Sequence, residues 1–290
     1  MDSLLAAARF IHYAAAIQFF GGSVFYILLI PAGLRPTLLR PTRIIELVDA
    51  LLLFLSGIAW LLAEAANMGD GPQDALNPSV IGSVLTDTEF GHVWGPRLAL
   101  SVFAMLAALP RADWARWIAL GLATLLLGSL GLVGHGAIDS GVLGLLNETS
   151  QALHLLSSGF WLGALLPLLY LLALFRNPER RPLADAALRR FSGLGHLAVA
   201  ILLLSGVANT WFVLGSHIDL GAPYQQLLLV KIGLAGTMCL VAIVNRYAFV
   251  PRIPHGGPGA RQLALGTVVE MVLSALILGL VAVIGMMSPT

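Results

Sequence analysis

The stretch from Asn147 to Tyr170 limits the fold of this chain most strongly, because it is apolar over the length of a bilayer span and still contains His154. His154 and several small residues recur in it at steps of three and four, which predicts a helix on which they share a face. Gly159 and Gly163 are spaced so that a second helix can approach closely. An ionisable side chain inside such a span is expected to have a function.

The rest of the chain has the same apolar character. Only 11% of its 290 residues are charged, against about 25% in soluble domains, which excludes a water-soluble fold. Proline- and glycine-containing breaks separate apolar segments at residues 4–30, 44–66, 93–109, 114–133, 148–175, 187–214, 224–249 and 261–287. Backbone groups find no water inside a bilayer, so these segments are predicted to be helices.

The predicted fold class is therefore all-α, a polytopic membrane protein with about eight transmembrane helices in a single domain over residues 1–290. The loops after odd-numbered spans carry arginines, whereas the loops after even-numbered spans carry neither lysine nor arginine between the spans. The positive-inside rule then places both termini outside the cytoplasm. Segment 67–92 is the longest predicted outer loop, and its apolar patch from Val80 to Leu85 predicts a short interfacial helix.

Composition and motifs also narrow the functions that this chain can have. The net charge of +1 and the lack of a basic patch predict no nucleic-acid partner, and the lipid bilayer is the expected surrounding. Cys239 is the sole cysteine, so neither a disulfide nor a cysteine-rich metal cluster can form within the chain. The sequence has no HExxH motif, phosphate-binding loop or recognisable nucleophile triad, which predicts that the protein is not an enzyme.

Polar side chains within the spans form two predicted layers, of which the outer one is rich in histidine. His12, His135 and His154 come from three different helices, and imidazole is a good ligand for copper, zinc, iron and nickel ions. Met238 lies seven residues after Lys231 on the same helical face and deeper in the membrane, where a thioether suits Cu(I). A metal that enters through the histidines and moves past Met238 is the functional interpretation. Interhelical hydrogen bonds and simple packing are the alternatives.

The inner layer is predicted to contain Asp49 and a polar network of four residues from three further helices, which are His196, Asn245, Arg246 and Glu270. Such a layer is typical of an exit site or of a network that locks a gate. Arg246 and Glu270 both belong to the inner third of adjacent spans, so a structural ion pair between them is the alternative.

Several motifs in combination resemble the CopD/PcoD family of copper-resistance membrane proteins. These motifs are GHGAIDSG at 134–141, ALHLLSSGFWLGALLPL at 152–168, RFIH at 9–12, RRFSGLGHLAVAILLLSGVANT at 189–210 and LLLVKIGLAGTMCLVAIVNRYAFVPR at 227–252. The resemblance spans nearly the whole chain. Its matched polar positions are His12, His135, His154, His196, Asn209, Lys231, Asn245, Arg246 and Glu270.

The resemblance implies an eight-helix protein of the bacterial inner membrane with periplasmic termini. Members of the family are thought to move copper from the periplasm to the cytoplasm. They usually act with a small periplasmic copper-binding protein of the CopC type, which would be a separate partner because this sequence contains no CopC-like domain. The small number of methionines and cysteines leaves open whether the copper is Cu(I) or Cu(II).

Copper import through a histidine-rich periplasmic site is the predicted function, with His12, His135 and His154 as the metal ligands. The residues predicted to support this site or to gate it are Asn209, Lys231, Trp161 and Met238. One alternative is a membrane redox protein that binds haem between two histidines, either His12 with His154 or His154 with His196. A second alternative is a structural membrane protein in which the histidines only join helices.

Overall fold

The computed structural model describes residues 2–133, 141–215, 219–253 and 259–288, and all secondary structure in these ranges is helical. The α-helices are α1 Asp2–Val24, α2 Arg35–Met68, α3 Pro78–Asp87, α4 Glu89–Ala108, α5 Asp113–Gly128, α6 Gly141–Leu162, α7 Leu165–Ala173, α8 Arg181–Leu214, α9 Pro223–Val244 and α10 Gly259–Ile284. π-Helical turns extend α1 over Phe25–Leu29 and α9 over Asn245–Phe249. The prediction of an all-α fold is thereby confirmed.

Seven helical segments within the described ranges are long and apolar enough to cross a bilayer. They are Asp2–Leu29, Ala32–Met68, Asp113–Leu132, Gly141–Arg176, Arg181–Leu214, Pro223–Arg252 and Gly259–Ile284. The predicted third span coincides with α4, which has 20 residues but is not among the seven. Its first half contains Glu89, His92 and Arg97, which lower its hydropathy. The multi-pass architecture is confirmed, with α4 as an additional long helix of more polar sequence.

The predicted fifth span is not one continuous helix, because it is interrupted between α6 and α7 at Gly163. Pro167 has no backbone N–H, so the carbonyl of Gly163, four residues earlier, lacks its helical donor. The side chain of Gln18 on α1 takes that place, since its Nε2 donates to the Gly163 carbonyl oxygen at 3.1 Å. A proline-induced gap in one helix is thus satisfied by a polar side chain of its neighbour.

The glycine pair of α6 does admit a second helix, and that helix is α1. A Cβ atom added at Gly21 would meet backbone atoms of Gly159 and Gly163, and one added at Gly163 would meet the Ile17 carbonyl oxygen and the Gly21 Cα. A Cβ at Gly159 would collide with Leu127 and Phe20. The two backbones are therefore in direct contact at this level, as expected from the spacing of the small residues.

The predicted short helix in the outer loop is confirmed as α3. The side chain of Asn77 caps its first turn by accepting a hydrogen bond from the backbone N–H of Ser79 at 3.2 Å. Thr88 then caps α4 in the same way, since its Oγ1 accepts from the N–H of Gly91 at 2.9 Å. Val84 anchors α3 in the core that it shares with α2 and α4.

The substitution Gly21→Ala should lower the stability of the helix bundle by roughly 1–3 kcal/mol, because its methyl group would push apart two backbones in contact. Gly121→Ala on α5 is the matched control, since an added Cβ there meets no atom within 4 Å and alanine favours a helix. The measurement is the melting temperature of each purified variant in detergent. Equal melting temperatures for the two variants would contradict the contact.

Candidate functional site

A cavity of about 230 Å³ lies between α1, α6, α8, α9 and α10, next to the end of α5. Its lining comes from the early turns of α1 and the late turns of α8 and α10, so it lies at the end of the bundle where the chain begins and finishes. Its polar lining consists of Arg9, Tyr13, Gln151, His154, Ser158, Asn209, Thr210, Tyr224 and Lys231. The space is large enough for an ion with several water molecules.

His154 enters this cavity from α6 with a defined orientation. Its Nδ1 lies 3.1 Å from the carbonyl oxygen of Leu202 and 3.2 Å from the Oγ of Ser205, both on α8. A carbonyl oxygen can only accept, so we assign the hydrogen of the neutral ring to Nδ1, and Nε2 keeps its lone pair. Gly206 makes room for the ring, since a Cβ there would lie 3.3 Å from Cε1 of His154. A backbone carbonyl that holds the far side of an imidazole is the usual support of a metal-binding histidine.

Asn209 and Lys231 line the same cavity as His154, although they belong to different helices. Asn209 is fixed to α6, because its Oδ1 accepts from the Oγ of Ser150 at 2.6 Å and its Nδ2 donates to Oε1 of Gln151 at 3.1 Å. Lys231, the sole lysine of the chain, makes no hydrogen bond or ion pair with any described residue. The cavity therefore joins one free imidazole nitrogen to one free ammonium group.

His12 lies in a different environment, between α1, α2 and α4, and does not line the cavity. Its Nε2 accepts a hydrogen bond from Arg97 at 2.8 Å, because a guanidinium group has no acceptor. Its Nδ1 then donates to the Oγ of Ser56 at 3.0 Å. The rings of Trp60 and Trp94 pack against it at centroid distances of 5.8 and 5.1 Å. His12 is only 3% exposed, and both of its nitrogens are occupied.

The predicted three-histidine ligand set is not assembled within the described residues. His135 lies outside them, and they contain no group of three histidine, cysteine, aspartate or glutamate side chains that could hold a metal ion. His196 is exposed on α8, where its Nε2 lies 3.2 Å from the hydroxyl of Tyr247 and its Nδ1 3.1 Å from the Ser192 carbonyl oxygen. A haem with two axial histidines would thus need a second free imidazole nitrogen besides that of His154. Metal ligation and haem binding both stay predictions.

The predicted inner network exists as two separate groups. In the first group, both carboxylate oxygens of the buried Glu270 are bound. Oε1 accepts from Nδ2 of Asn245 at 2.7 Å, and Oε2 accepts from Nε1 of Trp161 at 3.1 Å. Ser274 extends it, with its Oγ 3.6 Å from Sδ of the buried Met238. Trp161 and Met238 therefore lie beside Glu270 and do not line the cavity of His154.

The second group surrounds Ser192 on α8. Nη1 of Arg246 donates to the Ser192 carbonyl oxygen at 2.5 Å and also to its hydroxyl, and His196 contacts the same carbonyl. The alternative of an ion pair between Arg246 and Glu270 is not seen, since the ion pairs among the described residues are Glu46–Arg116 and Arg189–Asp185. Arg246 belongs to the interface of α9 with α8, while Glu270 belongs to the interior.

Sequence reasoning missed a buried ion pair between Glu46 on α2 and Arg116 on α5, both of which are 2% exposed. Arg116 also donates to the carbonyl oxygens of Ala108 and Pro110 at the end of α4. Both residues lie just inside the ends of predicted spans, next to the arginine-rich loops. The signal in the sequence was that Glu46 and Arg116 have opposite charges at the same predicted depth of two spans, which is the pattern expected for an ion pair. Arg97 on α4 is buried as well, since it is 3% exposed and bound to His12.

Two family models match this chain in different parts. The model described as copper resistance protein D-like, N-terminal domain, matches residues 1–145. The model described as copper resistance protein D matches residues 185–284. Together they cover most of the sequence, while the prediction of a single domain stays a prediction.

Curated relatives match over longer stretches. The inner membrane protein YebZ of Escherichia coli K12 is 31% identical over 93% of this chain and 96% of the relative. Copper resistance protein D of Pseudomonas syringae pv. tomato is 31% identical over 99% of this chain and 97% of the relative. The copper transport protein CutJ of Bacillus subtilis 168 is 32% identical over 83% of this chain but only 46% of its own length. No solved structure matches the chain significantly.

The localisation follows from the helices long enough to cross a bilayer and from the similarity to an inner membrane protein. Family membership follows from the two family models and from the relatives that match over nearly their full length. The chain is a multi-pass protein of the bacterial inner membrane and belongs to the copper resistance protein D family.

Proposed function

We propose that this protein moves copper from the periplasm into the cytoplasm and that the cavity of His154 is where copper enters. The observation that carries the proposal is the cavity itself, which joins a correctly oriented imidazole to Asn209 and Lys231 in a chain of a copper-resistance family. The name of one relative, a copper transport protein, supports transport as the activity. The metal is the cargo, and the protein performs no chemical conversion of it.

His154 is the residue that we propose to touch copper first. Its Nε2 has a lone pair and no hydrogen-bond partner among the described residues, while its Nδ1–H is fixed by α8. Imidazole binds both Cu(I) and Cu(II), so this contact is compatible with either oxidation state. His12 and His135 complete the predicted ligand set, and His12 would join it only by giving up its bond to Arg97.

The direction of transport follows from the proposed topology. The arginines of the predicted odd-numbered loops mark the cytoplasmic side, so both termini and the cavity beside them lie on the periplasmic side. Copper delivered by a separate CopC-like protein would thus reach the cavity first. Copper would then reach the cytoplasm past the polar group around Glu270.

An apolar plug separates the cavity from Glu270, and we propose that it is the gate. Leu162 and Ile277 line the cavity and pack against a buried cluster of Trp161, Leu165 and Met238. The indole of Trp161 is held by Glu270 on the far side. Movement of Trp161 would therefore open the plug and change the hydrogen bonds of Glu270 in one step.

The substitution His154→Ala should abolish copper-dependent uptake into cells and weaken copper binding by about 10–100-fold or more, because it removes an imidazole nitrogen that has no hydrogen-bond partner among the described residues of the cavity. The purified wild-type protein should hold about one copper ion per chain. The matched control is His92→Ala on α4, whose exposed ring bonds only to the Thr86 carbonyl oxygen. Uptake and binding retained in His154→Ala would contradict the proposed entry site.

The substitution His12→Ala should instead act on stability. It would leave the buried Arg97 guanidinium without its imidazole acceptor, at a cost of roughly 1–3 kcal/mol. The measurement is the melting temperature in detergent without copper, with His154→Ala as the comparison, since His154 is only half-buried. If both variants melt like the wild type and His12→Ala also loses copper, His12 is a ligand and its structural role is wrong.

The substitution Glu270→Gln should separate binding from transport. It keeps the side-chain volume but removes the second carboxylate oxygen that accepts from Trp161 or Asn245, so one donor loses its partner. Copper binding by the purified protein should persist, and uptake by cells should fall by roughly tenfold or more. Ser274→Ala, at the edge of the same group, is the milder control. Normal uptake by Glu270→Gln would remove Glu270 from the gate.

A further inference from the structure

The cavity of His154 has an unusual charge for a place where a metal cation enters. Its charged lining residues are Arg9 and Lys231, and no described aspartate or glutamate contributes to its wall. His154 is neutral in the assigned tautomer. The described lining therefore carries positive charge alone.

Neither of these two cations is neutralised by a described residue. Arg9 and Lys231 are absent from the ion pairs, and Nε of Arg9 is buried without a hydrogen-bond partner. The guanidinium of Arg9 lies 4.6 Å from the ring centroid of Trp60, which gives only a cation–π contact. Glu64 accepts from Nε1 of the same Trp60 at 3.0 Å but does not line the cavity.

This arrangement of two half-buried cations differs from that of the buried arginines Arg97 and Arg116. Arg116 has Glu46 and several carbonyl oxygens as partners, and Arg97 has His12 and the Leu126 carbonyl oxygen. Cations within a membrane protein are costly unless they find a partner or an aqueous cavity. Lys231 and Arg9 face a cavity, so the missing partner can be a solute.

Further donors of the wall would suit an anion as well. Nε2 of Gln151 has no described acceptor, whereas its Oε1 is used by Asn209. Tyr13 also lines the cavity, and its hydroxyl makes no hydrogen bond to a described residue. The volume of about 230 Å³ accommodates a hydrated monatomic anion.

We propose that the cavity binds a small monovalent inorganic anion, of the halide class, between Arg9 and Lys231. The anion neutralises the wall and lets copper occupy Nε2 of His154 beside it, so that copper and anion share the cavity. The claim that copper and the anion share the cavity rests on the proposed function, whereas anion binding by itself does not. A bare metal cation would otherwise enter against the field of two positive charges that have no ion-pair partner among the described residues.

Anion binding can be tested on the purified full-length protein without copper, in a nonionic detergent and with a chelator present. The melting temperature is followed by tryptophan fluorescence while sodium gluconate is replaced by sodium chloride or bromide at constant ionic strength. The wild type should melt about 2–4 °C higher in the halide salts, with a saturable dependence on concentration. Arg40→Gln, an exposed arginine outside the cavity, should behave like the wild type.

Substitutions at the two cavity cations test whether the effect arises there. Lys231→Gln and Arg9→Gln should lose the halide-dependent shift, and Lys231→Arg should keep it because the charge is retained. Line broadening of the chloride NMR signal by the wild type, reversed by bromide, provides a second measurement should a variant fail to fold.

Three results would overturn the inference. They are equal melting of the wild type in gluconate and halide, an undiminished shift in Lys231→Gln, and stabilisation by phosphatidylglycerol with none by halide. The last result would assign the two cations to a lipid headgroup. Because the assay contains no copper, each of these results leaves the copper-uptake test of His154 intact.

Discussion

The direct backbone contact between α1 and α6 is the constraint on which the rest of the structure depends. Gly21 meets Gly159 and Gly163 without any side chain between the two helices. Ile17, Tyr13 and Arg9 precede Gly21 at steps of four on the same face of α1, and all of them line the cavity. The helices thus touch at one level, and the larger side chains of the next turns bound an open space. The cavity therefore begins where the glycine contact between α1 and the end of α6 gives way to larger side chains.

The bilayer explains how the other charged residues are used. The last carbonyl groups of a helix have no helical donors, and these groups need partners where water is absent. Arginines supply them, since Arg43 and Arg116 donate to carbonyl oxygens at the end of α4, and Arg97 donates to one at the end of α5. Each of these arginines satisfies carbonyl groups at a helix end, and the same hydrogen bonds fix the position of its guanidinium group. Lys231 has no such task among the described residues, which is why we propose a solute partner for it in the cavity.

Much of the architecture could be predicted because it depends on periodicity and length alone. Apolar runs located the spans, and glycine spacing located the close contact at Gly163. The partners of individual side chains could not be predicted in this way. They depend on the rotation of each helix and on which helices are neighbours, and so His12 faces Arg97 on α4, while its predicted partner His154 faces α8.

The interruption after α6 links the cavity to the gate. Pro167 breaks the helical ladder at Gly163, and the segment that follows begins with Leu165, which packs with Trp161 and Met238 in the apolar plug. The Gly163 carbonyl, which accepts from Gln18, lies between the half of the helix that bears His154 and the half that packs against α10, and we propose that it acts as a hinge. A proline-generated gap satisfied by a single side-chain bond is easier to rearrange than a continuous helix, because only one hydrogen bond must be exchanged. Under the proposed function, we expect rotation of α6 about this point to move Trp161 against Glu270 and His154 against the cavity together, which would couple metal entry to opening of the plug.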